Sequence, residues 1–351
     1  MRLRSMLVCS TTVLGLAAAT ALPAAAAAPP PDPLVDGLAG PLQLDVSDNG
    51  SVYVAQSFSG AITRVRPNGT TTDVLTEPGV TGVATQGYEV VYTVNIDEGP
   101  GAPTELLKRR FPNGTVRTLA NLGRFEATRN PDQLNRYGFR NLTPACAEQV
   151  PDEIGGEPYF GQVDSNPYAV VNAPQGGWYV ADAGANAILY VSPSKRIEVV
   201  HVPRPQKTVI SQAAAEALGL PDCVVGSTYA FEPVPTDVEL NDNGFLIVSL
   251  LPGGPESEVL GARGGVLRIS PGDYEWTLLK TGFLGATNVA TGPGGRIYVS
   301  ELFGNRISLL RNNTVTTVAE LPSPAGLEYR DGMLYASQDV FGNGAVVRIT
   351  P

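Results

Sequence analysis

The side chains with most chemistry to offer are carboxylates and amides set in short apolar segments. Gln43 and Asp45, Asp237 and Glu239, Asn288, and Glu328 each fall two or four residues into such a segment, and Glu232 stands just before one. Converging on one point, these oxygens suit Ca²⁺, which takes several oxygen ligands, or flank a polarised substrate. Kept apart, they bond backbone groups between elements or face channel water. A second set, Gln56, Asp182, Glu301 and Gln338, closes the apolar run that follows each first segment. Asp182 with Asn186, and Glu301 with Asn305, share a spacing suited to side-chain capping of a tight loop. Tyr229, Phe231 and Phe283 either line a binding face or pack connecting segments.

What is missing narrows the chemistry further. The chain has one histidine, His201, in an alternating stretch that reads as an outer strand. Histidine is the commonest neutral metal ligand and general base, and one copy excludes His-rich zinc, copper or haem sites and a His dyad. No G-x-S-x-G elbow accompanies it. No catalytic set is therefore assigned.

Residues 1–28 read as a secretory signal peptide: Arg2 and Arg4 form a basic start, 6–22 is apolar and uncharged, and 24–28 is an alanine run that allows cleavage after Ala26 or Ala28. Secretion to the extracellular space is the expectation. Without that segment the formal charge moves from −10 to −12. An acidic surface repels nucleic acid and anionic membrane, and no later segment is apolar enough to insert in a bilayer. Two cysteines remain, Cys146 and Cys223; an even count in an exported chain favours a disulfide over two free thiols.

The elements that position these groups come from a repeat. A short apolar strand, a turn with Asp, Asn or Gly, a strand carrying Tyr-Val, a loop, and another apolar strand recur six times, beginning near residues 41, 80, 167, 235, 286 and 324. A fourth strand follows in five copies. The sixth copy stops at Pro351, and residues 34–38, ahead of the first, supply what it lacks. The pattern predicts an all-β, six-bladed β-propeller of four-stranded antiparallel blades, the last closed by the N-terminal strand, filling 29–351 as one domain. Polar residues on the first strands then face the axis or a neighbouring blade.

Antiparallel blades send successive connections to alternate ends of the ring. First-to-second and third-to-fourth connections are uniformly short turns, while the long segments, 96–103 and the insertions 121–166, 203–235 and 251–264, all belong to the other end. Long connections in a compact domain are usually functional or disordered, so the insertion-bearing face is the expected working face. Cys146 and Cys223 lie in two of those insertions.

The stretch 166–186, with Asn166-Pro167-Tyr168-Ala169-Val170 and Trp178-Tyr179-Val180-Ala181-Asp182, resembles the ScyD/ScyE family of secreted propellers, as do Glu232-Pro233-Val234-Pro235-Thr236-Asp237-Val238-Glu239 and Leu251-Pro252-Gly253-Gly254-Pro255. The resemblance implies an extracellular six-bladed ring related to NHL-repeat proteins and carries no activity with it. Gluconolactonase-like propellers bring a Glu, two Asn and an Asp to a central metal. Here Pro235-Thr236-Asp237 and Ala286-Thr287-Asn288 hold the corresponding strand starts, and no full set matches. Quinone-dependent sugar dehydrogenase propellers need a channel histidine, whereas His201 reads as peripheral. The sequence thus favours a non-catalytic binding or scaffold protein that takes a small molecule, glycan or extracellular protein. The alternative is a Ca²⁺-dependent lactonase or hydrolase using Asp237, Glu239 and Asn288 at the central channel, with Asp45 and Glu232 as further oxygen ligands.

Overall fold

The computed structural model describes residues 30–96, 104–254 and 258–351. The leader at 1–28 and parts of the connections 96–103 and 251–264 lie outside the described residues. Among the described residues, twenty-eight strands form seven four-stranded antiparallel sheets. Sheet 1 runs Pro41–Val46, Val52–Gln56, Ala61–Val65, Thr71–Thr76, and sheet 2 runs Val80–Gln86, Glu89–Val94, Leu106–Arg110, Val116–Asn121. Sheet 3 is Pro167–Asn172, Trp178–Asp182, Ala187–Val191, Ile197–His201, and sheet 4 is Pro235–Leu240, Leu246–Leu250, Gly264–Ile269, Trp276–Phe283. Sheet 5 is Ala286–Gly292, Arg296–Glu301, Arg306–Arg311, Thr314–Glu320. Sheet 6 consists of Leu327–Arg330, Met333–Gln338 and Gly344–Ile349, and its outer place is taken by Asp32–Leu38, which pairs antiparallel with Gly344–Ile349.

Burial explains the sequence pattern within each sheet. Second strands such as Val52–Gln56 and Trp178–Asp182 are buried at every residue, because neighbouring sheets cover both faces, and they read as continuous apolar runs. Outer strands such as Thr71–Thr76 are largely exposed and carry threonine and charge. Turns are made by Asx chemistry: in 66–70, Asn68 Oδ1 accepts from the Thr70 amide and Gly69 supplies a φ of 81° that costs other residues more. First strands contact one another in sequence from sheet 1 to sheet 6, and Leu327–Arg330 in turn contacts Pro41–Val46.

The seventh sheet lies entirely in the insertions, which the sequence pattern left as connections. Its order is Tyr159–Phe160, Arg136–Arg140, Thr228–Phe231, Gln206–Val209, joining 121–166 to 203–235. The pairing of Gly138 with Ala230 is far too non-local for a repeat search to find. Helix Gln212–Ala217, capped by Ser211 through a bond to the Ala214 amide, packs in this region, whereas helix Leu122–Arg129, capped by Asn121 through a bond to the Arg124 amide, sets Leu122 and Phe125 into the core of sheets 2 and 3. The cap has its own core, including Phe139, Val150, Ile210, Ala215, Val224 and Phe231. Cys146 and Cys223 are disulfide-bonded within it, Cα atoms 5.9 Å apart.

Candidate functional site

The first strands put two tiers of polar side chains at the centre. The upper tier is closed. Gln43 donates to the Thr236 carbonyl at 3.0 Å, and its amide oxygen lies 2.7 Å from the Asn288 amide. Asp237 accepts from the Val289 amide at 2.9 Å. Gln43, Asp237 and Asn288 are all buried, so this tier is a polar plug that stitches sheets 1, 4 and 5. Burial pushes the Asp237 carboxyl up to about 7, against the pull of the Val289 amide.

The lower tier lines a cavity of about 470 Å³. Asp45, Glu239 and Glu328, from sheets 1, 4 and 6, are among its lining residues, with Asp48 and Asp242 from the turns and Arg330 at the end of the strand Leu327–Arg330. Asp45 accepts from both the amide and the hydroxyl of Thr85, the latter at 2.6 Å. Asn172 donates to the Thr85 carbonyl at 2.9 Å, and the Thr291 hydroxyl donates to the Leu240 carbonyl at 2.8 Å. Each contact crosses from one sheet to the next, so the walls are held by the same bonds that join the sheets. Glu239 and Glu328 lie close enough for each carboxyl to raise the other's cost of ionising. Burial, and then the mutual repulsion of Glu239, Glu328, Asp237 and Asp45, hold both well above the usual carboxylate range. Two carboxyls so placed titrate as a coupled pair. Arg330 is the one cation among the lining residues and is ion-paired with Asp48.

This cavity is lined by Ser47, Gly87, Asp242 and Pro293, from the short first-to-second turns, with Gln86 at the end of its strand. It therefore lies at the end opposite the insertions, which are occupied in building a folded cap. Of the residues singled out from sequence, Asp45 and Glu239 come together here with Glu328. Asp237 and Asn288 belong to the plug above. Glu232 is elsewhere, beneath the cap, accepting from the Tyr159 hydroxyl at 2.9 Å and the Asn186 amide at 3.1 Å. Among the described residues no three His, Cys, Asp or Glu side chains assemble as metal ligands. His201 packs on Trp276, ring centroids 5.0 Å apart, on the outer strand of sheet 3; burial, then the Arg204 charge, lower its pKa to about 4, leaving it neutral. Phe283 is buried in the sheet 4–5 core, and Tyr229 and Phe231 pack against each other and the cap.

The second polar set has a repeating structural duty. Gln56 accepts from the Ala39 amide at 2.7 Å, Asp182 from the Asn166 amide at 2.6 Å and Glu301 from the Leu284 amide at 2.8 Å. Each secures the chain leading into its own sheet. Asn186 and Asn305 then secure the chain leading into the next sheet, accepting from the amides of Val234 at 3.1 Å and Ser323 at 2.8 Å. Both have φ near +50° (49° and 51°), a conformation asparagine tolerates. Asn186→Ala should cost about 3 kcal/mol in urea unfolding, from buried bonds lost to Val234, Asp132 and Glu232 and from the left-handed backbone; a loss under about 1 kcal/mol would contradict that role.

No family model matches the sequence, and no curated protein matches it. Solved structures do. Virginiamycin B lyase from Staphylococcus aureus is similar at 17% identity, covering 88% of this chain and 94% of its own, with a TM-score of 0.51. A gluconolactonase from Xanthomonas campestris reaches a TM-score of 0.55 at 10% identity, covering 93% and 96%. The PQQ-bound aldose sugar dehydrogenase of Streptomyces coelicolor reaches 0.53 at 12%, covering 91% and 96%. At these identities the likeness is one of fold: the chain is an all-β protein of the propeller type.

Proposed function

We propose that this is a six-bladed propeller that binds a small organic cation in its axial pocket on the short-turn face. The observation behind the reading is a polar cavity of about 470 Å³, in the range of ligand sites, lined by five carboxylates and one arginine that is already ion-paired. A diamine or amino sugar supplies the donors that such a set of acceptors lacks. The test is a thermal-shift and calorimetry panel of 1,4-diaminobutane, glucosamine, glucose and citrate against the mature chain. Amines should bind and glucose and citrate should not; preference for either of those two would overturn the reading.

A second reading has its own support. Two neighbouring buried carboxyls, both held above the usual carboxylate range, are the arrangement a general acid–base pair needs, and a lactonase or hydrolase would use Glu239 and Glu328 for it. Its Ca²⁺-dependent form draws less support, since Asp237 and Asn288 are engaged in the plug. Turnover of lactone and ester substrates that Glu328→Gln abolishes would favour the enzyme over the binding protein.

Six blades, with the last closed by Asp32–Leu38, rest on the pairing of that strand with Gly344–Ile349 and on Leu38 packing in the sheet 1–6 core. Deleting residues 30–38 should lower unfolding stability by at least about 3 kcal/mol, the scale of one lost core leucine; an unchanged urea midpoint would mean the ring closes without it. Export and the ScyD/ScyE relationship belong to the same proposal. The disulfide supports export, because such bonds persist in oxidising compartments, and mass spectrometry of the exported chain should find its N-terminus after Ala26 or Ala28.

A further inference from the structure

Beneath the cap, the helix Leu122–Arg129 and the turn after it carry three side chains that each leave at least one buried oxygen without a hydrogen bond. Glu126 is 1% exposed, yet neither carboxylate oxygen receives a hydrogen bond. The Asp164 backbone amide pulls its pKa downward, yet no bond from it meets hydrogen-bond geometry. Asp132, 2% exposed, accepts from the Tyr137 hydroxyl at 2.8 Å and the Asn186 amide at 3.0 Å through Oδ2, while its Oδ1 has no donor. Asn130 donates to the Gly161 carbonyl at 2.9 Å and leaves its own Oδ1 buried and unmatched. Gly161 also touches Asp132: a methyl there would stand 2.0 Å from Oδ1. Four acceptor oxygens on Glu126, Asn130 and Asp132 thus sit without donors.

The electrostatics aggravate this. After burial, the charged neighbours acting on Glu126 are Asp182, Asp132 and Asp164, all carboxylates. Burial first, and then these charges, push the Glu126 carboxyl up to about 8. Burying an unpaired carboxylate is costly unless a proton or a cation joins it. A proton satisfies one oxygen of Glu126 and does nothing for Asp132 Oδ1 or Asn130 Oδ1, which require a positive centre or a donor. Hard oxygen ligands from carboxylates and an amide are what Ca²⁺ takes, with water filling the remaining positions. Asp164 is exposed at the edge of the cluster, where an ion would arrive from solvent.

We propose that Glu126, Asn130 and Asp132 bind Ca²⁺ at the junction of the cap with sheet 3. The ion joins the helix Leu122–Arg129 to the turn holding Asp132, which Asn186 already ties to the ring. It is independent of the axial pocket, whose carboxylates lie on other strands.

The test uses the mature full-length chain with calcium or chelator, and terbium as a luminescent substitute. Tyr137, bonded to Asp132, is placed to sensitise terbium. Calcium at about 10 mM, above the weakest Ca²⁺ modules, should raise the melting temperature, and calcium but not magnesium should quench tyrosine-excited terbium emission. Glu126→Gln should weaken calcium about tenfold or more and abolish the emission, yet melt no lower than the parent in chelator, since Glu126 has no protein donor to lose. Asp132→Asn should act in the same direction, and Glu239→Gln should leave both signals intact. The proposal fails if wild type shows neither signal, if both survive Glu126→Gln and Asp132→Asn, or if Glu239→Gln removes them, which would place the ion at the axis. It fails equally if Glu126→Gln melts far below the parent in chelator, for Glu126 would then be an acid satisfied by the protein alone.

Discussion

Glu239→Gln should raise the melting temperature at pH 8 by several degrees and abolish amine binding in the axial pocket. Burial and the nearby Glu328, Asp237 and Asp45 hold the Glu239 carboxyl well above its usual range. A carboxyl whose pKa is raised on folding stabilises the fold fully below its unfolded value, and that contribution is lost as pH rises toward the folded value. The native chain therefore loses stability between acidic and mildly alkaline pH at this position, while glutamine does not titrate. The advantage of the variant should be near zero at pH 4 and grow with pH. Glu328, relieved of its partner's charge, should also ionise more easily. Sites that hold like charges together trade stability for function in this way.

The same linkage gives the binding reaction a pH signature. An amine entering the pocket favours the ionised carboxylates, so the Glu239–Glu328 pair should release protons as it binds. Affinity should tighten from pH 6 to pH 8, and calorimetric heats should change with the ionisation enthalpy of the buffer. Binding that weakens with pH, or a Glu239→Gln variant that binds as well as the parent, would remove the pair from the site.

Replacing Cys146 and Cys223 together by serine is the second large effect. The bridge spans 77 residues, and for a loop of that length the chain-entropy relation gives about 4.5 kcal/mol at 25 °C. The loss should fall on the cap, whose core residues Phe139, Val150, Ile210 and Val224 surround the bridge. Sheet 3, between the two insertions, has its own contacts with sheets 2 and 4, among them Thr81 donating to the Pro167 carbonyl at 2.6 Å. Limited proteolysis should therefore open the cap within 144–160 and 211–226 while amine binding on the opposite face persists. Loss of binding along with the disulfide would mean that cap and pocket are coupled.

Much of the architecture was legible because strand pairing within a blade is local. Val52 to Gln56 reads as a doubly buried strand, Asn68-Gly69 as its later turn, and 34–38 as the missing partner of the final strand. The cysteine count indicated the bridge. Sequence also indicated the axial oxygens, but it placed Glu232 with them, whereas the cap draws Glu232 to Tyr159 and Asn186. It left Glu126 and Asp132 unremarked; Glu126, Asn130 and Asp132 within one short stretch were the available signal.

By itself, then, the sequence determined the four-stranded repeat, the alternation of short and long connections, and which side chains start each first strand, because periodicity and turn chemistry are properties of neighbours along the chain. Tertiary structure alone decided the rest. Whether Gln43 reaches Thr236, or Glu239 meets Glu328, depends on how strands from separate sheets approach a common centre. The insertions became a sheet because Arg136–Arg140 found Thr228–Phe231 across a long stretch of intervening chain. That pairing fixed which end of the molecule carries a cap and left the pocket to open at the other.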